Sequence, residues 1–503
     1  MATQLQAWCS RAGSLNGQRV GFVVVLGLLI VAGLALRLLA ARPGFLGDEL
    51  FTYAIAERNS LAGVMDGVRT TENTPPLYYV LAWLSVKATA VPELARLPSL
   101  IAGTALIPVA ALVGRRAFGA RAGLVAAALM AISPFAIYYS SEARSYAPAA
   151  LCVLLSTLLL LRALATDRTH DWAGLAVAAA AAVWFHYTAV FPLALQFAWA
   201  LFGFPGSRRP LLVAHIAAAA LYAPWLPFAG AYVPLSEVSR FIDIFAPLAP
   251  ARSLEYAARA LVGHPVSPLT EAPGEVALVG LAALAVAAAV VGIRRAWRPR
   301  WADPAVVLVL GALAAPGGIL LVSLVESNIY LPRNLFVSAP AALVLISGAA
   351  AAVRPAAALA GAVAAVVLLM PSAVSLATGE HARPAYDDVA RLVDERARPS
   401  DPVIEAPLFP GERSLAAPLR RALLSFLTEP HAIYLGDYPE PGWRAAERTG
   451  RAFVVYPTTP EQIEVFDAGP DLTPPRGSAF RAVDRRVYEG TPPLVYVEYE
   501  RRR

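Results

Sequence analysis

Apolar residues in this chain come in long blocks separated by short polar, mostly basic connectors. The blocks run at roughly 20–41, 76–92, 98–114, 121–139, 146–165, 172–187, 188–204, 210–230, 276–293, 304–325, 333–353 and 355–377. A helix needs ~20 such residues to cross a bilayer, so the pattern predicts a bundle of membrane-spanning helices. From about residue 380 the pattern turns soluble. Tyr386 to Arg398 carries Val389, Leu392 and Val393 at helical spacing, and short β-rich runs follow at Val403–Ile404, Ala432–Leu435, Ala452–Tyr456 and Leu494–Tyr499. Helix and strand patterns in alternation predict a small α/β domain. The expected fold is therefore a polytopic α-helical membrane domain over 1–379 followed by a soluble α/β domain over 380–503.

The connectors set the expected orientation. If all twelve blocks crossed, Arg115, Arg116 and Arg121 would lie opposite Arg11 and Arg19, and so would the later basic connectors, including Arg208, Arg209 and Arg354. That arrangement violates the positive-inside rule. Block 76–92 is the weakest span: it opens after Pro75-Pro76, holds Lys87, and carries Tyr78, Tyr79 and Trp83, which suit a membrane interface. Laying it along the outer interface makes every basic connector cytoplasmic. The expectation is eleven crossings, with the N-terminus inside and the C-terminal domain outside. The run from Arg19 to Ala41 is too long for a signal-peptide core and reads as a retained anchor.

Composition agrees with a membrane solvent: 57% of the 503 residues are hydrophobic and 16% charged, against about 25% charged in soluble domains. The net charge of +6 belongs to topology, since the arginines sit between apolar blocks, and no nucleic-acid partner is expected. Cys9 precedes the first block and Cys152 lies inside one, so no disulfide framework is expected. Phosphate-cradling and dinucleotide-binding glycine loops, HExxH and paired CxxC motifs are all absent from the sequence, as is any internal repeat.

Five polar motifs remain, all on the expected outer side. Asp48 and Glu49 in GDELFTY follow the first block directly. Adjacent carboxylates at a membrane surface need a partner or a task; the structural alternative is that Asp48 caps a helix running to about Glu57. The turn Tyr138-Tyr139-Ser140-Ser141-Glu142-Ala143-Arg144-Ser145-Tyr146 is short and charged. Were it helical, Tyr138, Glu142 and Tyr146 would share a face with Arg144 pointing away; the alternative is an interfacial tyrosine belt with a local Glu–Arg pair. Next come Thr70 to Tyr79, stiffened by two prolines, and Trp184-Phe185-His186-Tyr187 at the tip of a helical hairpin, where a lone histidine is more often structural. Last, Arg333 in YLPRN stands at the mouth of a span, where it could snorkel or clamp a phosphate.

In this order GDELFTY, TPPLYYVLAWL, YYSSEARSYA, WFHYTAVF and YLPRNLF resemble the motifs of bacterial GT-C-fold glycosyltransferases, of the protein-mannosyltransferase-like and aminoarabinose-transferase-like branch. The resemblance covers about residues 20–377. It implies a multi-span enzyme of the cytoplasmic membrane, working at the outer face. The sugar comes from a polyprenyl-phosphate-linked donor, and the acceptor is a lipid, glycan or protein. By resemblance Asp48, with Glu49 beside it, is the catalytic carboxylate, and Glu142 positions the acceptor or helps bind a metal. Arg333 faces the donor phosphate, while Tyr78, Tyr79, Arg144, Tyr146 and His186 line the site. No cofactor is implied with certainty; a divalent metal is possible because relatives differ. Thr74 stands where many relatives carry His, a departure from the family pattern. A flippase or transporter of lipid-linked precursors is the rival reading, and a tethered scaffold the third. A transporter would show repeats and broken helices near the midplane, whereas the polar motifs here gather on one side.

Overall fold

The structure is a computed structural model. It describes residues 2–502 except 42–44, 46–47, 90, 229–246, 263–299, 352–362, 365–366, 372, 375, 378–384, 407–422, 424–425, 436–438, 458–472, 476 and 489–492. The chain divides into two compact units. The first comprises Met1–Ala41, Met65–Leu81 and Arg96–Thr378, the second Arg42–Val64, Ala82–Ala95 and Gly379–Arg503.

The first unit is helical: α1 (Ala2–Ala40), parts of α3 (Leu61–Thr71) and α4 (Leu77–Thr89), α5 (Leu97–Phe118), α6 (Ala120–Ile132), α7 (Pro134–Ser140), α8 (Tyr146–Thr166), α9 (Thr169–Phe185), α10 (Val190–Gly203), α11 (Arg208–Tyr222), α12 (Pro250–Val262), α13 (Pro304–Val325), α14 (Pro332–Leu335) and α15 (Ala339–Ala351). Among the described residues five helices are long and apolar enough to cross a membrane, and a sixth crossing results if α6 and α7, bent by 59°, form one broken span. The expected crossing at 276–293 and much of that at 355–377 lie outside the described residues. At 13 residues, α4 is about 20 Å long and falls short of the ~30 Å hydrocarbon core.

Turn chemistry places the helix ends. Gly119, at φ 97°, closes α5 and turns the chain into α6, a backbone that glycine adopts without strain. Asp167 holds a left-handed φ of 52° between α8 and α9, and its Oδ1 accepts from Trp172 Nε1 at 2.9 Å. Ser133 and Pro134 break what the sequence presents as one apolar block. Proline cannot donate to the turn before it, and Ser133 Oγ caps α7 by accepting from Ala136 N.

Helix α5 packs between α6 and α8, α8 against α9, and α10 against α13. Leu160, Leu175, Leu193, Trp199, Leu211 and Val307 form part of one buried cluster. Polar side chains of α8 and α10 pair with one another, as a dry environment favours: Gln196 Nε2 donates to Thr157 Oγ1 at 2.8 Å and Ser156 Oγ to Gln196 Oε1 at 2.9 Å. Meanwhile Leu28 and Val31 of α1, Ile216 of α11 and Leu324 of α13 are exposed. Such apolar flanks carry little cost in lipid and a large one in water. The chain is a helical membrane protein.

The second unit holds α2 (Asp48–Ala56), α16 (Tyr386–Arg396), α17 (Glu440–Thr449) and a mixed sheet of β1 (Pro402–Glu405), β2 (Ala432–Leu435), β3 (Arg451–Pro457), β4 (Phe480–Tyr488) and β5 (Leu494–Arg501). The order is β2-β1-β3-β5-β4. β1 pairs in parallel with β2 and β3, while β5 pairs antiparallel with β3 and β4. Ile404, Val454, Val497 and Trp443 meet in its core. The small α/β domain is as expected, with two additions. β4 is a charged edge strand (Arg481, Asp484, Arg485, Arg486) without an apolar run, and α17 opens on Glu440-Pro441-Gly442, which reads as a turn.

Candidate active site

The turn after α7 is not helical. α7 ends at Ser140, and Ser141 to Arg144 form bends and Ser145 a turn before α8 begins at Tyr146. Glu142 and Tyr138 therefore do not share a helical face with Tyr146. Ser141 Oγ donates to Tyr138 O at 2.8 Å and Arg144 N to Glu142 O at 2.8 Å, which folds the turn tightly.

That fold turns Arg144 toward Glu72, just past the end of α3. Its Nη1 and Nη2 donate to Glu72 Oε1 at 3.0 Å and Oε2 at 3.1 Å, a two-pronged pair whose side chains are only 8% and 7% exposed. The guanidinium also lies 5.8 Å from the centre of the Tyr79 ring, within cation–π range. Tyr79 is buried, with its hydroxyl 2.9 Å from Thr74 Oγ1. Burial drives its pKa well above the ordinary value. Ser99 Oγ sits 2.7 Å from Arg144 O and 3.0 Å from Tyr78 OH. The segment 72–79 and the turn 141–146 are thus bonded together through four side chains.

Tyr146 lies on the other side of the same turn. Its ring centre is 5.2 Å from that of Tyr139 and 5.4 Å from the His186 ring, in the connection between α9 and α10. Thr188 N donates to His186 Nδ1 at 3.3 Å, so Nδ1 is the acceptor and the neutral ring carries its proton on Nε2. Burial, then the charges of Arg144 and Arg333, push the imidazole pKa down to about 3. Arg333 sits on α14, half-buried. Its loop is fixed by Asn328 Oδ1 accepting from Tyr330 N at 3.1 Å and Asn334 Nδ2 donating to Ile329 O at 2.8 Å. Phe336 follows, wedged against Phe135 and Tyr139 with ring centres 5.6 and 5.4 Å away. Tyr139 is within electrostatic reach of both Glu142 and Arg333. The amphipathic α12 packs on α7 and α14.

Seven candidates from the sequence, Tyr78, Tyr79, Glu142, Arg144, Tyr146, His186 and Arg333, therefore gather in the first unit. Asp48 and Glu49 belong to the second. There α2 begins at Asp48, half-buried, with Glu49 fully buried. The helix is anchored by Phe45, whose ring centre is 5.2 Å from Tyr53 and 5.8 Å from Phe426. Burial and the neighbouring Glu57 and Glu93 raise the Tyr53 pKa. Among the described residues no group of three or more His, Cys, Asp or Glu could hold a metal ion. Sequence reasoning quoted Glu72 and Tyr139 within their motifs but gave them no role. The first is marked only by being an acid in a proline-stiffened outer loop.

Among the described residues, the bundle of apolar helices carries a cluster of charged and aromatic side chains at its helix ends. Known proteins show what this chain is similar to. Residues 73–228 match the family model for dolichyl-phosphate-mannose-protein mannosyltransferase. The fold is similar to that of ArnT from Cupriavidus metallidurans in the apo state, with a TM-score of 0.59, 14% identity, and 96% of this chain and 98% of that one covered. For ArnT bound to undecaprenyl phosphate the values are 0.55, 13%, 96% and 98%. The archaeal oligosaccharyltransferase AglB from Archaeoglobus fulgidus, in complex with an inhibitory peptide and a dolichol-phosphate, gives 0.54, 13%, 95% and 74%. No curated protein matches by sequence. These findings bear out the resemblance drawn from the motifs: the chain has the fold of the GT-C glycosyltransferases.

Proposed function

We propose that the chain is an inverting glycosyltransferase. In this reading it moves a sugar from a polyprenyl-phosphate carrier to a hydroxyl of a lipid, glycan or protein acceptor, at the outer face of the cytoplasmic membrane. The observation that carries it is the convergence of Arg333, His186, Tyr146, Glu142 and Arg144 at the ends of α7, α8, α9 and α14. Support comes from the fold shared with ArnT and AglB, whose structures hold undecaprenyl phosphate and dolichol-phosphate.

The roles follow from chemistry. An acceptor hydroxyl is a weak nucleophile, so a carboxylate within hydrogen-bond reach takes its proton as it attacks the anomeric carbon. Asp48, exposed enough to meet substrate, is assigned that role, and fully buried Glu49 the task of fixing the start of α2. The new bond forms to the acceptor oxygen as the bond from C1 to the phosphate oxygen breaks, with its electron pair leaving on the phosphate. A departing phosphate needs cationic stabilisation rather than a proton. Arg333, whose charge reaches His186 and Tyr139, is assigned to it. Direct displacement inverts the anomeric centre. Glu142 is assigned to the acceptor.

The test uses purified protein and a panel of polyprenyl-phosphate sugars, with consumption of one donor expected. In the Asp48→Asn variant transfer should fall at least about 100-fold, the scale of lost general-base catalysis, with insertion unchanged. Full activity in that variant would sink the assignment.

A further inference from the structure

Arg37 is the one charged residue between Val20 and Ala40, and its side chain is completely buried. An arginine inside a span is costly and calls for a task. No carboxylate of the described residues pairs with it. Its donors instead go to oxygens at the break between α6 and α7. Nη2 donates to Met130 O at 3.0 Å and Nη1 to Ala131 O at 3.2 Å, and Nη1 also reaches Gly33 O on its own helix at 2.9 Å. The Met130 carbonyl would be bonded by the N–H of residue 134 in a continuous helix, but residue 134 is proline. Arg37 supplies the missing donor and places positive charge at the negative end of α6.

The fourth contact connects this clasp to the candidate site. Arg37 Nε donates to Ser140 Oγ at 3.2 Å. Ser140 is the last residue of α7, two positions before Glu142, and its hydroxyl donates back to Ala136 O. Space for the contact is made by Gly103 of α5, where a Cβ would lie 1.8 Å from Ser140 Oγ and 3.2 Å from Arg37 Nε. A cation, a broken span and a glycine thus meet at one point.

We propose that Arg37 is a positioning residue for glycosyl transfer: by clasping the α6–α7 break from α1, it fixes the end of α7 and hence the placement of Glu142. The proposal rests on the role assigned to Glu142, and its test separates the two. In full-length protein with Cys9→Ser and Cys152→Ser, an Ala143→Cys reporter should react slowly with an impermeant maleimide, because Ala143 is buried. Adding Arg37→Lys, which keeps the charge but not the fork of donors, should speed labelling at least about tenfold. A second reporter, Ala189→Cys, at another buried position in the unit, should keep its rate. This readout needs no transfer activity. With the donor that the panel identifies, Arg37→Lys should lower kcat at least about tenfold, toward the ~100-fold that a 1 Å misplacement costs, with donor KM within about twofold. In a Glu142→Gln background the same change should cost nothing further. Should Arg37→Lys fail to insert, Gly103→Ala is expected to give the same pattern. Unchanged labelling at Ala143→Cys, equal acceleration at both reporters, or a kcat loss that multiplies with Glu142→Gln would overturn the proposal. An inactive wild type would sink the transferase reading and leave the labelling result standing.

Discussion

Replacing Glu72 by glutamine removes the two-pronged carboxylate from a buried arginine. Arg144 is held by both carboxylate oxygens, and with side-chain exposures of 8% and 7% the pair has little water to take over. Removing one partner of such a pair costs about 3–5 kcal/mol, whereas replacing both by neutral groups of similar volume costs little. Glutamine keeps one acceptor oxygen, so the low end, about 3 kcal/mol, applies to Glu72→Gln. The first unit is larger than the domains that shift ~2–4 °C per kcal/mol, so ~1–2 °C per kcal/mol applies and Tm should fall by roughly 3–6 °C. The double variant Glu72→Gln/Arg144→Met should recover most of that loss. The assay is thermal unfolding in one detergent, followed by tryptophan fluorescence and by size-exclusion recovery. A fall of less than about 2 °C in the single variant, or a double variant that loses the sum of the two singles, would refute the idea of a tightly coupled buried pair.

Other outcomes follow from the same geometry. Arg333→Gln should raise donor KM about 10–100-fold and Arg333→Lys less, because lysine keeps the charge but not the fork; equal KM in all three proteins would remove Arg333 from the phosphate. His186, held neutral with its pKa near 3, should add no inflection to the pH–rate profile between pH 5 and 8; an inflection there that disappears in His186→Asn would contradict this. The same depressed pKa gives a stability trend. As pH drops below about 6.5, the unfolded imidazole gains a proton that the folded one refuses, so stability should fall by up to about 1.4 kcal/mol per pH unit. His186→Asn should flatten that slope in a pH series of melting curves. In the second unit, burial raises the Asp394 carboxyl, but bonds from Thr428, His431 and Glu429 outweigh it and leave the pKa below the usual range. Its contribution is therefore present above about pH 4 and lost as pH falls further, and acid unfolding of Asp394→Asn should be the less pH-sensitive of the two.

Much of this protein was legible in its sequence because the signals are local. Block length and hydropathy give the helical membrane character, with five or six of the expected crossings long enough among the described residues. Alternating runs at Val403, Ala432, Ala452 and Leu494 give four of the five strands, and the fifth escaped because an edge strand need not be apolar. The ordered motifs gave the GT-C resemblance and seven residues that do converge. What tertiary structure alone decided is which charges meet. Glu72 and Arg144 stand 72 positions apart, and Arg37 and Ser140 stand 103 apart. No periodicity encodes such pairs, since their partners are set by how helices pack and not by spacing along one helix. The break at Ser133-Pro134 was written in the sequence, yet its consequence was not. Only the packed bundle places an arginine from α1 against the carbonyls that the proline leaves open. The sequence by itself determined that polar groups would have to cluster at the helix ends; tertiary packing determined their partners, because in a low-dielectric interior each charge must be satisfied by whatever the neighbouring helices present.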